Sequence, residues 1–178
     1  MLRYPIPIVL LGIACSDPTG PHTGAQRPTG PGGISFVRLA PGDSLVVDQQ
    51  SVGCFMRSDA HLILVGTQDG AIVSGVLVVN GRTATIPVRP VTYVKLAGLE
   101  NLHQLYRQEE HQTRCMSTGH HSTTFRSTGG ATEHYETDGC IEEEILGEGP
   151  SLTIRQRPDI VSLYEFTKPG YDAVLRQS

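Results

Sequence analysis

Five of the seven histidines fall between positions 103 and 134: His103, His111, His120, His121 and His134. Imidazoles at that density raise metal binding first, because a zinc site needs three or four ligands on one point. His120, His121 and His134 are the metal candidates, since the pattern puts them on a hairpin. Adjacent residues of a strand point to opposite faces, so His120 and His121 cannot share an ion. A two-residue turn at Gly129-Gly130 sets His134 opposite Phe125 and His121 opposite Asp138. His121 and His134 are then four residues apart along the ladder, about 13 Å. Only a shifted register, or His120-His121 in a loop, would bring them closer. The expectation is exposed strand and loop histidines, with no metal and no cofactor.

The carboxylates offer no firmer chemistry. Glu142-Glu143-Glu144 reads as a solvated run, and no D-x-D-x-D-G spacing supports calcium. The same hairpin register puts Arg126 opposite Glu133, so Glu133 and Glu136 read as partners in cross-strand ion pairing of modest energy. No G-x-S-x-G, H-E-x-x-H or P-loop pattern occurs. No catalytic residue is named, and an enzyme is not the favoured reading. The alternative is an exported metal-dependent or hydrolytic enzyme using His and Glu of the 103–144 region.

Composition narrows the partners. The 178 residues carry a formal charge of −4. Nucleic-acid binding needs clustered Lys and Arg to neutralise phosphates, so no nucleic-acid partner is expected. Tryptophan is absent and aromatics make up 6% of the chain, so stacking platforms for bases or sugars are scarce. Leu, Ile, Val and Phe reach roughly a quarter of the residues, enough for a packed core.

The first fifteen residues read MLRYPIPIVLLGIAC. Arg3 precedes an apolar run from Ile6 to Ile13, and small Ala14 stands directly before Cys15. A charged start, a short apolar stretch and a small residue at the cut describe an export signal. The run is too short to span a bilayer, which takes about 20 apolar residues. Leu11-Gly12-Ile13-Ala14-Cys15 resembles the lipobox of bacterial lipoproteins, with Gly12 standing where that family usually has Leu. The resemblance implies a signal peptide over 1–14, and a mature chain that starts at Cys15, diacylated and held in a membrane. Ser16, rather than Asp, follows the Cys; in enteric lipoproteins that implies the outer membrane or cell surface rather than the inner membrane. From Ser16 to Gly33 nine of eighteen positions are Pro or Gly, with no large apolar residue. Such a stretch cannot bury enough surface to order itself, and reads as a tether of about 55 Å at full reach.

Residues 34–178 read as a single β-rich domain. Short Val/Ile/Thr-rich runs, Ile34 to Leu39, Ser44 to Ser51, His61 to Thr67, Ala71 to Asn80 and Arg82 to Pro90, are split by turn signals. Asn80-Gly81 predicts a type I′ hairpin that pairs Val79 with Arg82, Leu77 with Ala84 and Gly75 with Ile86. Leu62, Leu64, Val73, Leu77, Val79 and Ile86 are the candidate core. Leu99, Leu102, Leu105 and Tyr106 share a helical stripe, predicting one helix over about 98–110 that packs on the sheet. Two strands follow, near His120 to Ser127 and Ala131 to Asp138. A last pair is predicted over Ser151 to Gln156 and Ile160 to Phe166, with Pro169-Gly170 ending ordered pairing. The fold class is mainly β: an antiparallel meander, within a sandwich or open barrel, with one packed α-helix.

The functional expectation is an envelope-anchored, non-catalytic domain that presents a binding surface to an envelope or extracellular protein. An inhibitor or immunity lipoprotein is a further version of it. The contact candidates are Cys54 to Asp59 and Met116 to Ser122, where apolar alternation lapses. With Cys15 lipidated, three cysteines remain, and at most one internal disulfide forms. Cys115 and Cys140 flank the 120–138 hairpin, whose open end brings them together; pairing through Cys54 is the alternative. Closing that loop contributes about 3.5 kcal/mol in the chain-entropy model. Peptide mapping without reduction is expected to yield one linked pair joining Cys115 to Cys140; a peptide linked through Cys54 would refute this pairing.

Overall fold

The computed structural model describes residues 33–53, 56–108, 120–138 and 159–177. Six strands form one antiparallel sheet: β1 (Ser44–Val52), β2 (Arg57–Thr67), β3 (Gly70–Val79), β4 (Arg82–Thr92), β5 (His120–Ser127) and β6 (Thr132–Asp138). Their order in space is β4-β3-β2-β1-β5-β6. The first four strands make the expected meander. Helix α1 (Tyr93–Gln108) follows β4 and touches β3, β4 and β6. It therefore crosses the sheet, and β5 joins on the free side of β1. Helix α2 (Tyr164–Leu175) lies against β4 and β3. The result is a mainly β fold with an open sheet and packed helices, not a closed barrel.

The Asn80-Gly81 turn sets the register of the β3–β4 hairpin as far as a bulge between Val73 and Gly75. Asn80 and Gly81 have φ of 47° and 82°, the left-handed values that a type I′ turn requires. Val79 pairs with Arg82, Leu77 with Ala84 and Gly75 with Ile86, as the dipeptide predicts. All six candidate core residues are buried, on the face covered by the helices. Alternation puts Asp48, His61, Val76, Thr124 and His134 on the other face.

Three elements differ from expectation, each for a physical reason. Residues 34–39 do not form a strand. Ile34, Phe36 and Leu39 are buried, but the Ile34 and Phe36 amides donate to side-chain carboxylates instead of a strand partner. Helix α1 starts at Tyr93, five residues earlier than predicted. Tyr93 and Val94 belong to a β-branched and aromatic run that favours strand locally, and both are exposed; the burial of Leu96, Leu99 and Leu102 decides the conformation. The third is α2, which replaces the predicted strand Ile160 to Phe166 and continues through Pro169-Gly170. Its predicted partner, Ser151 to Gln156, lies outside the described residues.

Pro169 lacks the N–H that would bond the Glu165 carbonyl. The Arg89 guanidinium donates to that carbonyl at 2.6 Å, and lies 5.4 Å from the Phe166 ring centre. Gly170 lets the helix approach closely, since a Cβ there would lie 3.1 Å from the Leu77 side chain. An analogous close approach locks the sheet's edge loop. A Cβ on Gly66 would lie 2.1 Å from the Ala40 carbonyl oxygen. Gly66→Ala must push that backbone aside, at a cost of about 1–3 kcal/mol. Urea unfolding is expected to show a lower midpoint for Gly66→Ala with an unchanged slope.

Candidate functional site

Two clusters carry the polar chemistry of the domain, one inside and one on the surface. The inner one arises from the β5–β6 hairpin. Its connection is longer than a two-residue turn: Arg126 pairs with Thr132 and Phe125 with Glu133, and Ser127 N–H donates to the Ala131 carbonyl. This register is one residue away from the predicted one. It corrects the expected Arg126–Glu133 ion pair. Glu133 faces inward and is fully buried, while Arg126 is on the open face and pairs with Asp48.

Glu133 is met there by His103, also fully buried. His103 Nε2 lies 2.8 Å from Glu133 Oε2, and the Tyr135 hydroxyl donates to the same oxygen. Ile34 N–H donates to Oε1 at 3.2 Å. Rings enclose the imidazole: Phe36 at 6.0 Å, Phe125 at 5.0 Å and Tyr135 at 5.9 Å between centres. Burial lowers the His103 pKa, outweighing the carboxylates of Glu133 and Glu100 beside it. Burial is also the largest influence on Glu133 and opposes its ionisation. The donors from Tyr135, Ile34 and His103 together overcome it and hold the carboxyl below its ordinary range. The consistent state is a neutral His103 donating from Nε2 to an ionised Glu133.

The surface cluster crosses β2, β1, β5 and β6 on the open face. Asp48 accepts from His61 Nδ1 at 2.6 Å and from the Arg126 guanidinium. Gln50 donates to Asp59 at 2.7 Å, and Arg57 lies 3.4 Å from Asp59. Thr124 Oγ1 and His134 Nδ1 are 2.8 Å apart. A shallow depression of about 390 Å³ lies here, lined by Asp48, Gln50, Asp59, His61, Ser122 and Thr124, with Val76 and Val78. Asp48 with His61 resembles an oriented acid–imidazole pair in geometry. Among the described residues no hydroxyl is hydrogen-bonded to His61.

The metal candidates do not converge. His120 pairs with Asp138 and His134 with Thr124, four register positions apart, about 13 Å. His121 sits between them in register but on the inward side. Among the described residues no group of three His, Cys, Asp or Glu could hold an ion. Cys15, Cys115 and Cys140 lie outside the described residues.

Sequence reasoning missed His103 and Glu133 as partners. The signal for His103 was present: it lies four residues after Leu99 and three before Tyr106, hence on the apolar stripe of α1. The signal for Glu133 was absent, because its facing depends on the hairpin register. Comparison with protein-family models, with curated proteins and with solved structures finds no match. Glu133→Ala strands a buried imidazole and a backbone amide, and is expected to cost about 3–5 kcal/mol. Arg126→Ala on the open face is expected to cost under about 1 kcal/mol. Urea unfolding of both variants checks the difference.

Proposed function

We propose that this chain is a lipid-anchored binding domain of the bacterial envelope that presents the open face of its sheet to a partner protein without catalytic turnover. The observation that carries the reading is the asymmetry of the sheet. Two helices occupy one face. The other offers Val65, Ile72 and Val76, each about 40% exposed, beside the Asp48, His61 and Arg126 array. Exposed β-branched residues next to oriented charges suit a protein surface, which supplies apolar contact and charge complementarity together.

The geometry also joins the two contact segments. Val52, at the end of β1, pairs with Arg57 on one side and His120 on the other. The described parts of both segments thus flank the same end of the sheet, and Asp59 and Ser122 line the depression. Among the described residues no helix is long and apolar enough to cross a membrane. The lipobox-like Leu11 to Cys15 would supply attachment, and residues 16–33 the spacing from the bilayer.

The enzymatic alternative draws on His and Glu of the 103–144 region. His103 and Glu133, the closest such pair among the described residues, are sealed from solvent and occupied with each other. A general acid or base must reach its substrate within hydrogen-bond distance. An inhibitor or immunity lipoprotein remains a version of the binding reading, with one target protein as the partner.

Cys15→Ser is expected to abolish labelling by a fatty-acid analogue and to release the protein from the membrane fraction. Unchanged fractionation would refute the anchor. Asp48→Arg and Ile72→Arg are expected to weaken crosslinking to the native partner at least about tenfold, or ~1.4 kcal/mol. Unfolding of Ile72→Arg should stay within about 0.5 kcal/mol of the parent, as suits an exposed position, and that of Asp48→Arg within about 2 kcal/mol, as suits the loss of two partly exposed ion pairs. Undiminished crosslinking would remove the open face from the reading.

A further inference from the structure

We propose that residues 34–36 form a strap latched to the domain by two carboxylates, Glu100 and Glu133, and that acid releases this strap while the sheet stays folded.

The strap is attached by unusual means. Ile34 N–H donates to Glu133 Oε1 at 3.2 Å. Phe36 N–H and Ser35 Oγ both donate to Glu100 Oε2, at 2.6 and 3.1 Å. One latch point is on β6 and the other on α1. Between them the Phe36 ring packs edge-on against His103 and Phe125. Backbone amides in a sheet bond carbonyls, which do not titrate near neutral pH. Here the acceptors are carboxylates, a class of group that can take up a proton.

The titratable groups around the strap act in one direction. Among the described residues His103 and Glu133 are the only fully buried His, Lys, Arg, Asp or Glu side chains, and both lie at the strap, with the buried phenols of Tyr106 and Tyr135 beside them. On α1 they are accompanied by Glu100, which favours a charged His103, and by Arg107, which opposes it. On β6 Tyr135 donates to Glu133; β5 contributes the uncharged Phe125, and Arg38 within the loop is exposed. With the strap closed, both His103 and Glu133 hold pKa values below the ordinary ones, His103 through burial and Glu133 through its donors against burial. Lifting the strap removes the Phe36 ring from the imidazole and the Ile34 donor from the carboxylate. Both pKa values then return toward ordinary ones. The open state therefore binds more protons, and closure weakens as pH falls below about 6.5 and on through the carboxylate range.

The core of β2 and β3 is of another kind: Leu62, Leu64, Val73 and Leu77 are buried apolar side chains. Opening is thus local, in the sense that one segment exchanges with solvent at lower free energy than the core. If residues 16–33 are a tether, as proposed above, release of residues 34–36 adds three residues, about 10 Å at full extension. The latch itself does not depend on that reading.

Amide hydrogen exchange of the full chain, measured from pH 7.5 to 4.5 and corrected for intrinsic rates, tests the proposal. Protection at Ile34 and Phe36 is expected to fall at least about tenfold, while that at Leu62 and Leu64 changes less than about threefold. Glu100→Gln, at a half-buried position and close to isosteric, is expected to move strap release to higher pH and leave Leu62 and Leu64 unaffected. A parallel loss at all four amides would mean global acid unfolding and overturn the proposal. Constant strap protection, or no effect of Glu100→Gln, would overturn it too. None of these readouts involves lipid or a partner, so they fail independently of the binding reading.

Discussion

The carboxylate of Glu133 is the constraint on which the inner half of the structure depends. A buried carboxylate costs several kcal/mol in lost hydration unless donors replace the water. Here three donors come from three places: Ile34 from the segment before β1, His103 from α1 and Tyr135 from its own strand. Each must be present for the others to be tolerable. The position of α1 over β6, the path of the chain into β1 and the inward face of the β5–β6 hairpin are thereby fixed together. A purely apolar core would tolerate sliding at this point; a carboxylate with directional donors does not.

The opposite end of the sheet is held by a different logic. Leu77, Ile86 and Val73 form an apolar floor, and α2 settles on it through Gly170. What looks like a defect in α2 becomes an attachment. Pro169 frees the Glu165 carbonyl, and Arg89 of β4 takes it. The Glu165 side chain then pairs with Lys95 at the start of α1. Gly98 completes the arrangement on α1, where a Cβ would lie 2.4 Å from Val161 as that residue donates to the Gly98 carbonyl. Backbone groups that helices leave unsatisfied are thus met by neighbouring elements.

Much of the sheet was legible in the sequence because its information is local. Asn80-Gly81 demands left-handed φ at two successive residues, so one dipeptide defines a hairpin, with its register and facing, as far as the bulge between Val73 and Gly75. Alternation then identifies Leu62, Leu64 and Val73 as core. The β5–β6 connection carries no such demand: Gly130 takes the positive φ, at 84°, but Gly129 does not. A loop one residue longer reverses the facing of Glu133, and with it the difference between a surface ion pair and a buried hub. The strap at 34–36 and helix α2 were illegible for another reason. Their bonds run to Glu100, Glu133 and Arg89, dozens of residues away, and local propensity contains nothing of them.

Among the described residues the polar hub and the apolar floor both hold the sheet from the same side. Asp48, placed by alternation opposite Val47, is free to gather His61 and Arg126 across three strands. Such an array is weak as a source of stability, because exposed ion pairs contribute little. It holds Asp48, His61 and Arg126 in fixed orientations on one face, while Glu133, the structural polar group, is confined to the other.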